Sequence, residues 1–152
     1  MKHPAYRLLG AAVFAAGLVV VVVSRASAPT GRYTVTNGTV YDSKTKLTWQ
    51  QAVSSSIYAQ AGAASYCSTL ALNGAAWRLP SMKELVTIVD FSGAPLGTAF
   101  DATAFPGTPA SAAFWTSTPS AGTPGNAWLV SFFDGTTTND VASNTYNVRC
   151  VH

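Results

Sequence analysis

The sequence predicts an exported α+β domain closed by one disulfide. Three observations carry that expectation. An apolar leader precedes everything else, hairpin and helix-cap signals alternate along the remainder, and two cysteines stand far apart in a chain with no other thiol. Cys67 lies in the helix-like stretch 64–70 and Cys150 in the strand-like stretch 146–151. Two thiols in an oxidising compartment are expected to pair and close one long loop.

The leader comprises residues 1–28. Lys2, His3 and Arg7 make a positive start, and Leu8 to Val23 is an unbroken apolar run of 16 residues. The small-residue stretch Ser24-Arg25-Ala26-Ser27-Ala28 follows. This is the layout of a secretory signal. As a helix the run spans about 24 Å, short of a hydrocarbon core of about 30 Å and slightly long for a signal core. Two outcomes follow: a cleaved signal peptide, cut after Ala26 because Pro29 disfavours a cut after Ala28, or an uncleaved N-terminal anchor.

Charge is counted without the leader. Six basic residues (Arg32, Lys44, Lys46, Arg78, Lys83, Arg149) face six acids (Asp42, Glu84, Asp90, Asp101, Asp134, Asp140), so residues 29–152 are formally neutral. The whole-chain excess of +3 comes from Lys2, Arg7 and Arg25. That balance excludes nucleic acid as a partner. About 124 residues suffice for one domain with one core. They hold all four tryptophans, a content that argues against disorder.

Along the chain, Arg32 to Thr36 alternates and is β-branched, Asn37-Gly38 signals a tight hairpin, and Thr39 to Tyr41 returns. Leu47 to Gln50 reads as a further strand. From Ile57 to Leu72 the pattern is alanine-rich and helical, with Ala59, Ala63, Tyr66, Cys67 and Leu70 at spacings of three and four; Asn73-Gly74 ends it. Ser81-Met82-Lys83-Glu84 is a capping box. Met82, Leu85, Val86 and Val89 extend it as an apolar stripe. Residues 94–113 read as loop. Phe114 to Ser117 reads as a strand, Ala127 to Phe133 as another with Trp128, Val130 and Phe132 on one face, and Asp134-Gly135 as a hairpin turn. Thr136 to Val141 pairs back, and Tyr146 to Val151 is the final strand.

These pieces occur in a recognisable order. Gly38-Thr39-Val40-Tyr41-Asp42, Leu47-Thr48-Trp49, Tyr66-Cys67, Trp77-Arg78-Leu79-Pro80-Ser81 with Glu84-Leu85, Phe105-Pro106, Phe114 to Thr118, and Val148-Arg149-Cys150-Val151 together resemble the Lcl C-terminal domain family. The resemblance spans residues 32–152. It departs from the family pattern at Lys46, where a turn glycine is common, and at His152. More distantly the family resembles C-type-lectin-like domains and the formylglycine-generating-enzyme fold. The resemblance therefore implies a C-type-lectin-like α+β fold: two helices, a small antiparallel sheet joining the chain ends, long loops, and a helix cysteine bonded to the last strand.

The chemistry points away from catalysis. The histidines are His3, in the leader, and His152, the last residue. Zinc-site spacings are absent. The formylglycine-generating activity needs a cysteine pair beyond any structural bridge, and this chain has none to spare. No catalytic residue, metal or cofactor is therefore assigned. For binding, Trp77 and Trp128 are expected in the core, while Trp49 and Trp115 are candidate stacking surfaces for sugars. Arg78 is expected as an internal bracket to loop carbonyls or Asp90, and Arg149 as the exposed cation. Asp101, Asn126, Asn139, Asp140 and Asn144 could supply oxygens to calcium or serve ordinary turn chemistry; no dense acidic cluster favours the metal. The expected function is an exported, non-enzymatic lectin-like adhesion module. It would sit in the periplasm, on the cell surface or outside the cell, and bind a glycan or protein ligand through its loops. It would meet a membrane only through an uncleaved leader. The alternatives are a structural component of a membrane-anchored surface assembly and, behind that, a hydrolase.

Overall fold

The hairpin signal at Asn37-Gly38 sets the first sheet. Asn37 and Gly38 take φ of 47° and 79°, the doubly left-handed turn that matches strand twist. Around it β1 (Tyr33–Thr36) pairs antiparallel with β2 (Thr39–Asp42), and β2 with β3 (Thr48–Gln50). A computed structural model describes residues 28–91 and 98–152. Residues 1–27 of the expected 1–28 leader therefore lie outside the described residues, as do residues 92–97 of the long loop. Among the described residues no helix is long and apolar enough to cross a membrane.

Two short helices follow. α1 (Gln60–Ser68) is shorter than the expected 57–72. Its start is displaced because the backbone of Tyr58 is bonded to Tyr146 in both directions. Its end is turned by Thr69, whose hydroxyl bonds the Ser65 and Tyr66 carbonyls. α2 (Met82–Val86) opens on the capping box as expected, with Ser81 and Glu84 bonded reciprocally. The expected stripe holds at Met82, Leu85 and Val89, which pack in or against the core, and fails at Val86. The chain tightens into i→i−3 bonds at Thr87, Ile88 and Val89, which rotates Val86 to solvent and puts Ile88 in the core.

The second sheet comprises β4 (Ala113–Pro119), β5 (Asn126–Ser131) and β6 (Thr137–Val141), in that order and antiparallel. Its register divides the core. Phe114 opposes Val130, and both join a cluster with Trp49, Leu85, Ile88, Phe105 and Phe132. Trp115 opposes Leu129 on the other face, and both join a cluster with Ala63, Cys67, Trp77, Leu79 and Cys150.

The final segment is not a regular strand. It is a series of single bridges, because it changes partner every residue or two. Tyr146 pairs with Tyr58, Asn147 with Phe114, and Val151 with both Trp49 and Arg78. It bonds to β3 at Thr48 and Gln50 and to β4 at Ala113 and Trp115. The sheet expected to join the chain ends is thus two three-stranded sheets stitched by this segment. Cys150 is bonded to Cys67 of α1, with Cα atoms 5.4 Å apart at a sequence separation of 83.

Candidate functional site

The Trp77-Arg78-Leu79-Pro80-Ser81 run is a buckle between elements. The Trp77 indole N–H donates to the Leu72 carbonyl at 2.8 Å, and its ring is buried against the disulfide's cluster. Arg78 exchanges backbone bonds with Val151, and the buried Pro80 accepts from the Ser117 N–H. Met82 donates its N–H to the Thr118 hydroxyl, which pins α2 on β4. The Arg78 guanidinium does bracket, but its partner is Glu84 rather than Asp90 or a loop carbonyl: two bonds of 2.8 and 2.6 Å. The Arg78 pair, opposed by burial and joined by the Ser81 N–H and hydroxyl, holds the Glu84 carboxyl at about 2. Glu84 is thereby committed to its own helix.

Three candidate ligand residues sit in the interior instead. Trp49 and Trp115 are fully buried. Trp49 packs in the first cluster, while Trp115 donates to the Tyr58 carbonyl at 2.8 Å and meets Tyr146 edge-on. Each lies on the inward side of its strand, so neither presents a ring to a ligand. Arg149, expected as the exposed cation, is 0% exposed. Both sides of the last segment are covered: Val148 and Cys150 face the disulfide's cluster, and Arg149 faces Phe105 and Phe114. Its Nη2 donates to the Thr108 hydroxyl at 2.7 Å, while Nε and Nη1 are buried without a bond. Burial pushes its pKa down to about 9, which still leaves it charged at neutral pH.

The oxygen-bearing candidates divide. Asp101 is buried apart, accepting from the N–H groups of Thr103, Ala104 and Ala28. Asp140 accepts from Tyr146 Oη at 2.6 Å, Asn144 Nδ2 at 2.8 Å and the Val141 N–H at 2.8 Å. These bonds, Tyr146 first, pull its carboxyl below the usual range. Asp140 and Asn144 therefore close the turn after β6. Among the described residues no group of three or more His, Cys, Asp or Glu side chains is placed to hold a metal.

Asn126 and Asn139 belong to a different surface. Asn126 Nδ2 donates to Asn139 Oδ1 at 2.8 Å across β5–β6. Asn139 opposes Trp128, and Val141 opposes Asn126, so these four side chains share one face. Trp128 was expected in the core. It lies outside both clusters and is partly exposed. Unlike Trp77 and Trp115, its indole N–H has no partner among the described residues, and unlike that of Trp49 it is not buried. The sequence held a signal for this: Ala127, Leu129 and Val130 supply core on both faces of β5, and Asn126 precedes Trp128 on its own side. The apolar alternation of Trp128 with Val130 and Phe132 concealed it.

The sequence model of the Lcl C-terminal domain matches residues 38–152. The chain belongs to the Lcl C-terminal domain family. No curated protein matches it. The match to the Lcl C-terminal domain begins at the hairpin glycine, so it takes in β2 to β6, both helices and the disulfide and leaves out β1. At Lys46 the backbone is left-handed with φ of 63°.

Proposed function

We propose that this Lcl C-terminal domain is an exported, non-enzymatic binding module that recognises a glycan or protein through the β5–β6 face and its adjoining loops. The disulfide supports export, since such bonds persist in oxidising compartments. The observation that carries the binding reading is Trp128: a partly exposed residue, its indole N–H without a partner among the described residues, beside a pair of side-chain amides. Interface surfaces favour such amphipathic aromatics. Five of the six acids speak against hydrolysis. Glu84 caps a helix, Asp42 pairs with Arg32, Asp101 and Asp140 close turns, and Asp134 bonds Thr136. A hydrolase needs a carboxyl free to exchange protons or attack.

The test is a glycan array run beside a pull-down from envelope extract, each with the disulfide-intact protein and with Trp128→Ala. A ligand retained by the first and lost by the second is expected. Blank results in both formats overturn the proposal.

A further inference from the structure

We infer, resting on the binding-module reading above, that the Asn126–Trp128–Asn139–Val141 face is a subsite for an uncharged pyranose. The cross-strand amide bond uses one N–H of Asn126 and the carbonyl oxygen of Asn139. It leaves Asn126 Oδ1 as an acceptor and the Asn139 NH2 as a donor, neither buried and neither otherwise bonded among the described residues. Reversing both amides leaves the same complement, one acceptor and one donor. Adjacent sugar hydroxyls each give and take one hydrogen bond, which suits two amides locked edge to edge. The amides also hold each other in place, so little rotamer freedom is lost when a ligand arrives.

Beside them the Trp128 ring offers an apolar surface to the C–H face of a sugar and its N–H offers a further donor. Val141, 48% exposed, extends the apolar strip. None of the four side chains ionises. The carboxylate on this strand, Asp140, alternates to the opposite face and accepts from Tyr146, Asn144 and the Val141 N–H. Neither an anionic nor a cationic sugar would find a countercharge among these four side chains. The surface matches a neutral ring bearing hydroxyls and nothing more.

The experiment displays neutral oligosaccharides (glucosyl, galactosyl and mannosyl) beside sulfated and uronate-containing ones, and probes them with the full disulfide-bonded chain. Retention on a neutral class is expected, unchanged within about twofold between low and high salt because no ion pair is involved. Trp128→Ala is expected to weaken it by about tenfold or more, and Asn126→Ala and Asn139→Ala by about fivefold each. Trp128→Phe keeps a packed ring if the alanine variant misfolds, and the lost N–H donor is expected to cost about fivefold. Unaltered melting temperatures separate these losses from unfolding. Neutral-sugar retention indifferent to all four substitutions overturns the inference, as does retention of acidic glycans or of a protein alone. Those last outcomes leave the binding-module reading standing. Silence on every sugar overturns the inference too, and the pull-down then decides the wider reading.

Discussion

The guanidinium of Arg149 lies 4.5 Å above the ring of Phe105, fully buried and with no acidic partner among the described residues. A second ring, Phe114, stands 5.5 Å away, and Thr108 contributes the only side-chain hydrogen bond among the described residues. The charge is thus held by π faces, which stabilise a desolvated cation by about 2 kcal/mol. That is small against the several kcal/mol needed to bring an ion out of water. What Arg149 contributes is shape: its stem and flat head fill the space between the last segment and the 105–109 loop.

Arg149→Met is therefore expected to be at least as stable as the parent, since the methionine keeps most of the volume and removes an unpaired charge. Arg149→Ala is expected to lose about 2–5 kcal/mol through the cavity it leaves. Urea unfolding at neutral pH measures both. A methionine variant more than about 2 kcal/mol weaker would show the charge to be a net stabiliser.

The disulfide closes 83 residues. In the chain-entropy model such a loop contributes about 4–5 kcal/mol, and native bridges in small exported domains give about 2–5. Reduction, or paired Cys67→Ser and Cys150→Ser, is expected to lower stability by that amount and to loosen the last segment first. Hydrogen exchange at Gln50 and Arg78, whose N–H groups bond Cys150 and Val151, reports the order of opening. Unchanged protection there in the reduced protein contradicts it.

Lys46 holds φ of 63°, a conformation that costs a side chain about 1–2 kcal/mol and glycine almost nothing. Glycine's own unfolded-state entropy takes back part of that gain. Lys46→Gly is expected to stabilise the domain by about 1 kcal/mol, or a few degrees in Tm by calorimetry. A fall in Tm would mean that the lysine stem makes a compensating contact.

Glu84 gives a pH signature. Its carboxyl is held at about 2 in the folded protein, first by Arg78, against an ordinary value of 4.5. A depressed acid stabilises the fold above its unfolded pKa, and that contribution is lost as pH falls from about 4.5 toward 2. Arg78's side chain is 50% exposed, so water screens the pair and the effect at neutral pH is about 1 kcal/mol. Glu84→Gln is expected to be weaker than the parent by that amount at pH 7 and level with it near pH 2. A gap that persists in acid would assign the loss to the amide's geometry instead of the missing charge.

The leader offers one more check. If the domain is released as proposed, N-terminal sequencing of the mature protein is expected to start near Ser27 or Pro29, with a cut after Ala26 giving Ser27. An intact Met1 would favour the anchored assembly instead.

The local signals were legible because their physics is local. Asn37-Gly38 gave a turn, Ser81 to Glu84 gave a cap, and two lone thiols gave a bridge; each depends on a few adjacent dihedrals or on simple counting. The ordered set of short motifs likewise placed the family. The tertiary structure decided which aromatic ring and which cation meet water. Trp49, Trp115 and Trp128 all occupy alternating strands, and alternation states that two faces differ without saying which is covered. Only the packing of α1 and α2 on opposite sides of the β4–β5–β6 sheet, with the last segment threaded between the two sheets, buries Trp115 and Arg149 and leaves Trp128 open. Burial depends on contacts between residues distant in sequence, and those exist only once the chain has closed.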